Sequence, residues 1–125
     1  MPSVLLVEDD QSIQNMYALA LKNEGFEVTT APSGAEALVR VEERPFDIIL
    51  LDMLMNGMSG LDFLRTYDVR TKAPQTIVIA LTNMENPSIT EKAKELGARE
   101  YLNKSAYEPQ DLVTHLKTLL NPPQA

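Results

Sequence analysis

The sequence predicts an α/β fold in which five parallel strands alternate with helices. Short, almost wholly apolar runs, such as residues 4–7 and 77–81, are separated by segments whose apolar residues recur at helical spacing. Strands that are apolar throughout indicate a parallel sheet buried on both faces, because right-handed crossovers place helices on each side. A length of 125 residues with 44% hydrophobic content suits one domain with a single core. We therefore predict a single doubly wound domain with helices on both faces of the sheet.

The first two strand and helix units carry recognisable helix signals. The strand at residues 4–7 is followed by apolar residues at helical spacing, until Gly25 ends the helix. Residues 26–31 form the second strand. Ser33 and Glu36 have the spacing at which each side chain caps the other's free amide, so a second helix is expected to begin there.

The third unit begins with the apolar run at residues 46–51, which Asp52 ends. The loop that follows contains Gly57 and Gly60, and glycine permits backbone angles that other residues rarely adopt. Ser59 can cap the next helix.

The last two units repeat this alternation. Thr82 ends the fourth strand, residues 87–91 repeat the capping signal, and Gly97 is the expected stop of that helix. Residues 99–103 form the fifth strand, and the last helix is expected to begin near Pro109. We expect residues 1–121 to form the domain and residues 122–125 to be a tail or a linker stub.

Composition limits the possible functions. The net charge of −7 opposes direct contact with a phosphate backbone, which depends on clustered Lys and Arg. The chain has no cysteine, which excludes disulfides and thiolate chemistry, and no run approaches the roughly 18 apolar residues of a membrane span. We therefore expect a cytoplasmic protein with protein partners or bound cations, with no direct nucleic-acid partner and no membrane association.

Polar side chains follow four of the five predicted strands. They are Glu8, Asp9 and Asp10 after the first strand, Asp52 after the third, Thr82 after the fourth and Lys104 after the fifth. Parallel strands end at one edge of the sheet, and ligands of such folds bind there. Carboxylates at that edge suit a hard cation and phosphoryl chemistry. A single acidic residue after a strand is more often a loop or cap residue, and we assign that role to Asp10.

These motifs together resemble the receiver domain of bacterial two-component response regulators, in the CheY-like superfamily. The acidic residues 8–10, the strand end 50–53, the loop 58–60, the hydroxyl after residues 80–81 and the segment 101–104 occur in the family's order. The separations of 30 positions from Asp52 to Thr82 and 22 from Thr82 to Lys104 also suit the family. The resemblance implies a flavodoxin-like strand order, 2-1-3-4-5.

The resemblance also implies a role for each polar residue. Asp52 would be the nucleophile that accepts a phosphoryl group, and Thr82 and Lys104 would bind phosphoryl oxygens. Thr82 and Tyr101 would form the switch. It would change the surface made by the helix after Thr82, the fifth strand and the last helix. The donor would be a sensor histidine kinase or a histidine phosphotransfer protein, and the output would be a downstream protein partner.

The implied cofactor is Mg²⁺. Asp9 and Asp52 would ligate it directly, Glu8 would act through water, and the backbone carbonyl of Leu54 would complete the protein's share. Apolar Leu54 and Met84 flank the path of water to phosphorus in receivers, so we expect a long-lived phosphoryl group.

Two alternatives come from other functional classes. A magnesium-dependent phosphohydrolase of the haloacid-dehalogenase type forms the same aspartyl phosphate, but it usually has a second aspartate where this chain has Leu54. A degenerate receiver that serves only as a protein-binding module would lack a reacting residue, and none is missing. We do not class the chain as an enzyme in its own right, and we expect a monomer or a weak phosphorylation-dependent dimer.

The chain departs from the family pattern after Lys104. Most receivers have a proline there, in a cis peptide, whereas this chain has Ser105. A cis bond without proline costs about 3–4 kcal/mol, so we predict that the Lys104–Ser105 bond is trans. Asn56 and Asn83 also stand where proline and alanine are common, and they could alter the site's loops.

Overall fold

The computed structural model describes residues 2–55, 57–82 and 86–120, and it confirms the predicted α/β architecture. The strands are Ser3–Val7 (β1), Glu27–Ala31 (β2), Ile48–Asp52 (β3), Ile77–Thr82 (β4) and Ala98–Asn103 (β5). All neighbouring strands pair in parallel, in the order β2-β1-β3-β4-β5. The sheet therefore has the order 2-1-3-4-5 that the resemblance implied.

Helices connect the strands and cover both faces of the sheet. They are Gln11–Asn23 (α1), Gly34–Glu43 (α2), Gly60–Thr66 (α3), Val69–Lys72 (α4), Pro87–Glu95 (α5) and Pro109–Leu120 (α6), with a 3-10 turn at Lys104–Ala106. The short α4 was not predicted, because four residues are too few to show a helical period. None of the described helices is long and apolar enough to cross a membrane.

Alternate residues of the central strands point into two separate cores. Leu5 and Ile49 belong to the core that α2, α3 and α5 cover. Leu6 and Leu50 belong to the core under α1 and α6. Every residue of β3 is buried, as expected for the middle strand of a doubly wound sheet. The three central strands β1, β3 and β4 therefore carry polar side chains only at their ends, where the sheet opens to solvent.

The predicted reciprocal cap at α2 is only half formed. Ser33 Oγ accepts a hydrogen bond from the Glu36 amide at 3.1 Å, but Glu36 pairs with Arg40 on its own helix. The full reciprocal cap occurs at α3, where Ser59 and Asp62 each accept from the other's amide. The cap that the sequence predicted at Ser59 is therefore confirmed.

The start of α5 differs from the prediction by one position. Asn86, not a residue of 87–91, is the N-cap, and its side chain accepts from the amides of Ser88 and Ile89 at 3.0 and 3.4 Å. Pro87 then occupies the first helical position, where its missing amide hydrogen costs nothing. The helix ends at Glu95 with Leu96 as its C-cap, and Gly97 follows as the predicted stop, with a φ of +118° that favours glycine.

The Lys104–Ser105 bond is trans, as predicted, since the described residues contain no cis peptide. Asn103 caps the turn that follows, and its side chain accepts from the Ser105 amide at 2.8 Å. The predicted boundary between residues 121 and 122 lies outside the described part of the chain, which ends at residue 120, and stays a prediction.

Candidate functional site

The register of the sheet brings three carboxylates together at its carboxyl edge. Val7 is opposite Leu51 in the β1–β3 pair, so the residues after them, Glu8 and Asp52, lie side by side. One carboxylate oxygen from each of Glu8, Asp9 and Asp52 lies within 4.8 Å of the others. Glu8 and Asp52 are only 2% and 4% exposed, whereas Asp9 is exposed. The cluster is therefore open to solvent on the side of Asp9.

Lys104 reaches this cluster from the end of β5. Its ammonium lies 2.5 Å from a Glu8 carboxylate oxygen and 3.4 Å from Asp52 Oδ2. The Lys104 side chain is 8% exposed, so the ammonium and the Glu8 and Asp52 carboxylates are all largely buried. One ammonium thus partly offsets two buried carboxylates.

Burial governs the electrostatics of this site. It raises the pKa of both Glu8 and Asp52, and it outweighs the opposing effect of Lys104. Burial alone would lower the pKa of Lys104, but the hydrogen bond to Glu8 and the charge of Asp52 leave that pKa raised. The lysine therefore remains an ammonium, and the two carboxylates would be further stabilised by an added cation.

The donor set fits a hard divalent cation. Carboxylate oxygens are the ligands that Mg²⁺ prefers, and Mg²⁺ commonly keeps several waters, which the exposed side at Asp9 can accommodate. Within the described residues this is the one such cluster of acidic or histidine side chains. Leu54 lies directly beside it, because the Leu54 amide donates to Asp52 Oδ1 at 3.1 Å.

Thr82 and Tyr101 lie on the two strands beyond Asp52. Asp52 is the register partner of Leu81, so Thr82 follows at the same edge, and it is 2% exposed. Tyr101 is half-buried on β5 opposite Ala80 and packs against the core that contains Ala80. The structure therefore places the two predicted switch residues on adjacent strands. Met84, Asn83 and Asn56 lie outside the described residues.

The start of α3 packs closely against the backbone of Asp52 and Met53, which explains the glycine at position 60. A Cβ on Gly60 would lie 2.9 Å from the Asp52 carbonyl oxygen and 2.6 Å from Met53 Sδ. Any larger residue at position 60 would displace the backbone that carries Asp52.

Asp10 has the capping role assigned to it from sequence. Its side chain accepts from the Ile13 amide at 3.0 Å and caps α1. The sequence interpretation missed Gln14, which is 6% exposed and donates from Nε2 to the Glu8 carbonyl at 3.1 Å. The only sequence signal was a polar residue on the buried side of the helix, beside Ile13 and Tyr17.

Comparison with known proteins agrees with this geometry. The family model described as response regulator receiver domain matches residues 4–117. The chain is 36% identical over 120 residues to the sensory transduction protein RegX3 of Mycolicibacterium smegmatis, covering 96% of this chain and 51% of RegX3. It is 31% identical over 117 residues to the DNA-binding response regulator MtrA of Mycobacterium leprae, covering 94% of this chain and 50% of MtrA. The chain thus spans about half the length of these curated relatives.

A solved structure gives the same result for the fold. The chemotaxis protein CheY4 of Vibrio cholerae superposes with a TM-score of 0.85 at 32% identity, covering 94% of this chain and 97% of that one.

The expectation of no direct nucleic-acid partner is wrong in the light of these relatives. MtrA is a DNA-binding response regulator, and this chain matches half of it. The net charge of −7 describes this chain alone. An acidic receiver can belong to a system whose DNA contacts are made by another domain, so the charge argument does not exclude nucleic acid.

The strand order, the acidic cluster with its lysine, and the family match over residues 4–117 all lead to one assignment. Proteins of the receiver domain family are signalling switches rather than classical enzymes. The chain belongs to the response regulator receiver domain family of two-component signal transduction.

Proposed function

We propose that the protein is a cytoplasmic switch that accepts a phosphoryl group on Asp52 from a sensor histidine kinase or a histidine phosphotransfer protein. The observation that carries the proposal is the buried Asp52 carboxylate, within 3.4 Å of the Lys104 ammonium and within 4.8 Å of the Glu8 and Asp9 carboxylates. A nucleophile, a cation site and a phosphate-binding ammonium are the parts that phosphoryl transfer requires.

Glu8, Asp9 and Asp52 would hold Mg²⁺, together with the backbone carbonyl of Leu54. When bound, the ion offsets negative charge on the transferring phosphoryl oxygens. The receiver's own contribution is to hold these carboxylates in place before the donor arrives.

Asp52 performs the transfer step. An oxygen of its carboxylate attacks phosphorus, the bond from phosphorus to the donor's histidine nitrogen breaks, and the nitrogen leaves with the electron pair. The Leu54 amide holds Oδ1 and thereby fixes the plane of the carboxylate. Lys104 then exchanges its carboxylate partners for a phosphoryl oxygen, and Thr82 donates its hydroxyl to another.

Asp9→Ala should abolish labelling of the protein by acetyl phosphate, because it removes the exposed carboxylate of the cation site and lowers Mg²⁺ occupancy. Labelling can be measured by phosphate-affinity electrophoresis across a Mg²⁺ titration. Asp10→Ala is the matched control: it loses the α1 cap, at a cost of about 1 kcal/mol, but should still be labelled. Undiminished labelling of Asp9→Ala would remove Asp9 from the cation site.

Output would follow from movement of Thr82 and Tyr101 together. We propose that phosphorylation draws the Thr82 hydroxyl towards the phosphoryl group and that Tyr101 then fills the space beside it. The change would reach the surface made by α5, β5 and α6, where a partner protein or a second copy of the chain could bind.

Tyr101→Ala should therefore keep phosphorylation but weaken its effect on that surface. NMR shifts of α5, β5 and α6 amides on addition of beryllofluoride should be clearly smaller than in the wild type. Tyr107→Ala, which removes a ring that contacts His115, serves as the control and should keep the response. Equal responses in both variants would make Tyr101 a packing residue only.

The lifetime of the phosphoryl group would depend on Leu54 and Met84. Leu54 is 48% exposed beside Asp52, and its side chain has no polar atom to orient a water. The double variant Leu54→Asn, Met84→Glu should lose label roughly tenfold faster, equivalent to about 1.4 kcal/mol of barrier. Decay of purified labelled protein measures this, with Leu54→Met as the apolar control. An unchanged or slower decay in the double variant would place control of the lifetime elsewhere.

We also propose that the regulatory output reaches DNA through an effector domain. The support is the similarity over half the length of MtrA, a DNA-binding response regulator. A mobility-shift assay of promoter fragments, using the full-length protein from its native source with and without beryllofluoride, tests this. Absence of any shift in both states would count against it.

A further inference from the structure

We infer that Gln14 is a positioning residue that fixes the acidic pair Glu8 and Asp9 for cation binding. The inference rests on the proposed function, because it concerns the same cation site. Gln14 lies on α1 and is 6% exposed, although glutamine is usually a surface residue.

Both polar atoms of the Gln14 amide are engaged. Nε2 donates to the Glu8 carbonyl oxygen at 3.1 Å, and Oε1 accepts from Gln11 Nε2 at 3.2 Å. Gln11 in turn donates to Asn15 Oδ1 at 2.9 Å. The orientation of the Gln14 amide is therefore set by its neighbours on the same helix, and the amide points its donor at the end of β1.

The Glu8 carbonyl lies at the place where the β1 ladder stops. The Glu8 amide still donates to the Ala31 carbonyl at 3.1 Å, as a continuation of the sheet. Gln14 supplies the donor for the Glu8 carbonyl, which follows the Glu8 amide along the backbone. Because that carbonyl belongs to the peptide that joins Glu8 to Asp9, the bond fixes the direction in which the Asp9 backbone leaves the strand.

Other contacts hold the same turn through different atoms. The Asp10 amide donates to Glu8 Oε1 at 3.3 Å, and the Glu8 side chain also binds Lys104. These bonds act on the Glu8 side chain and on the helix start, not on the Glu8 carbonyl. Loss of the Gln14 bond should therefore spread the positions of the exposed Asp9 carboxylate, while β1 and α1 stay in place.

Gln14→Met tests this, because methionine keeps the length of the side chain but cannot donate to the Glu8 carbonyl. We expect its Mg²⁺ affinity to fall about tenfold, the low end of the range for groups that orient metal ligands. Affinity can be measured from the amide NMR shifts of residues 8–10 during titration with MgCl₂. Separate urea-unfolding experiments identify a temperature at which the protein is fully folded, and the titration is done there. Gln14→Asn, which keeps an amide but is too short to reach Glu8, is the second variant and should show the same loss.

Val41→Ala is the control for a purely structural role. It removes buried methyl groups from the core on the other face of the sheet from α1. It should lose stability but keep the wild-type Mg²⁺ affinity. If both Gln14 variants bind Mg²⁺ as tightly as the wild type, or if Val41→Ala loses as much affinity as they do, the inference is wrong. If the wild type itself binds no Mg²⁺, the proposed cation site fails, and that result is distinct from a failure at Gln14 alone.

Discussion

Asp52→Asn should take up no detectable phosphoryl group from acetyl phosphate and Mg²⁺, whereas the wild type should be labelled stoichiometrically. Asparagine keeps the shape of the side chain, and its amide oxygen can still accept from the Leu54 amide. It lacks the anionic oxygen that attacks phosphorus, so the chemical step has no nucleophile. Intact mass spectrometry of protein incubated with acetyl phosphate measures the labelled fraction directly.

Asp47→Asn is the matched control for this experiment. Asp47 precedes β3 at the opposite end of the sheet, where its side chain accepts from the Ser3 amide at 2.8 Å. This variant should be labelled like the wild type. Labelling of Asp52→Asn at the wild-type rate would exclude Asp52 as the acceptor. Steady turnover of a small phosphomonoester by the wild type would instead favour the phosphohydrolase.

Lys104→Met should lower the free energy of unfolding by about 3 kcal/mol in metal-free buffer at neutral pH. The reason is that two buried carboxylates, Glu8 and Asp52, would lose the ammonium that both of them contact. Removal of one partner from a buried ion pair typically costs about 3–5 kcal/mol, and the open side of this site favours the lower value. Urea unfolding in the presence of a chelator measures the change.

Two conditions should reduce this loss of stability. Added Mg²⁺ should restore part of it, because the ion supplies the missing positive charge. Acidification should also reduce it: burial raises the folded-state pKa of Glu8 and Asp52, so protonation as the pH falls through those values removes the repulsion and stabilises the folded state.

For comparison, Lys117→Met measures how much a solvent-exposed ion pair contributes to the free energy of unfolding. Lys117 pairs with Glu24, but its side chain is 50% exposed and solvent screens the pair, so its loss should lower the free energy of unfolding far less than Lys104→Met does. Equal and small losses in Lys104→Met and Lys117→Met would mean that water screens the Lys104 site and that its ion pairs stabilise little.

Much of the fold and of the candidate site could be predicted from the sequence, because both depend on local patterns of residues. Apolar runs of four to six residues specify buried parallel strands, and glycine at position 97 specifies the end of a helix through its positive φ. Asp52 and Thr82 were placed at one edge for the same reason, since consecutive strands of a parallel sheet end on the same side. The short α4 and the Asn86 cap were missed because each involves too few residues to form a period.

The order of apolar runs specifies which residues end the strands, and therefore which side chains share the carboxyl edge. How those side chains pair depends on the packing of elements that are distant along the chain. Lys104 lies 96 positions from Glu8 along the chain, yet its ammonium contacts that carboxylate, and Gln14 binds the Glu8 carbonyl from a neighbouring helix. Such contacts depend on distances between packed elements, whereas sequence periodicity reports only which face of an element is buried.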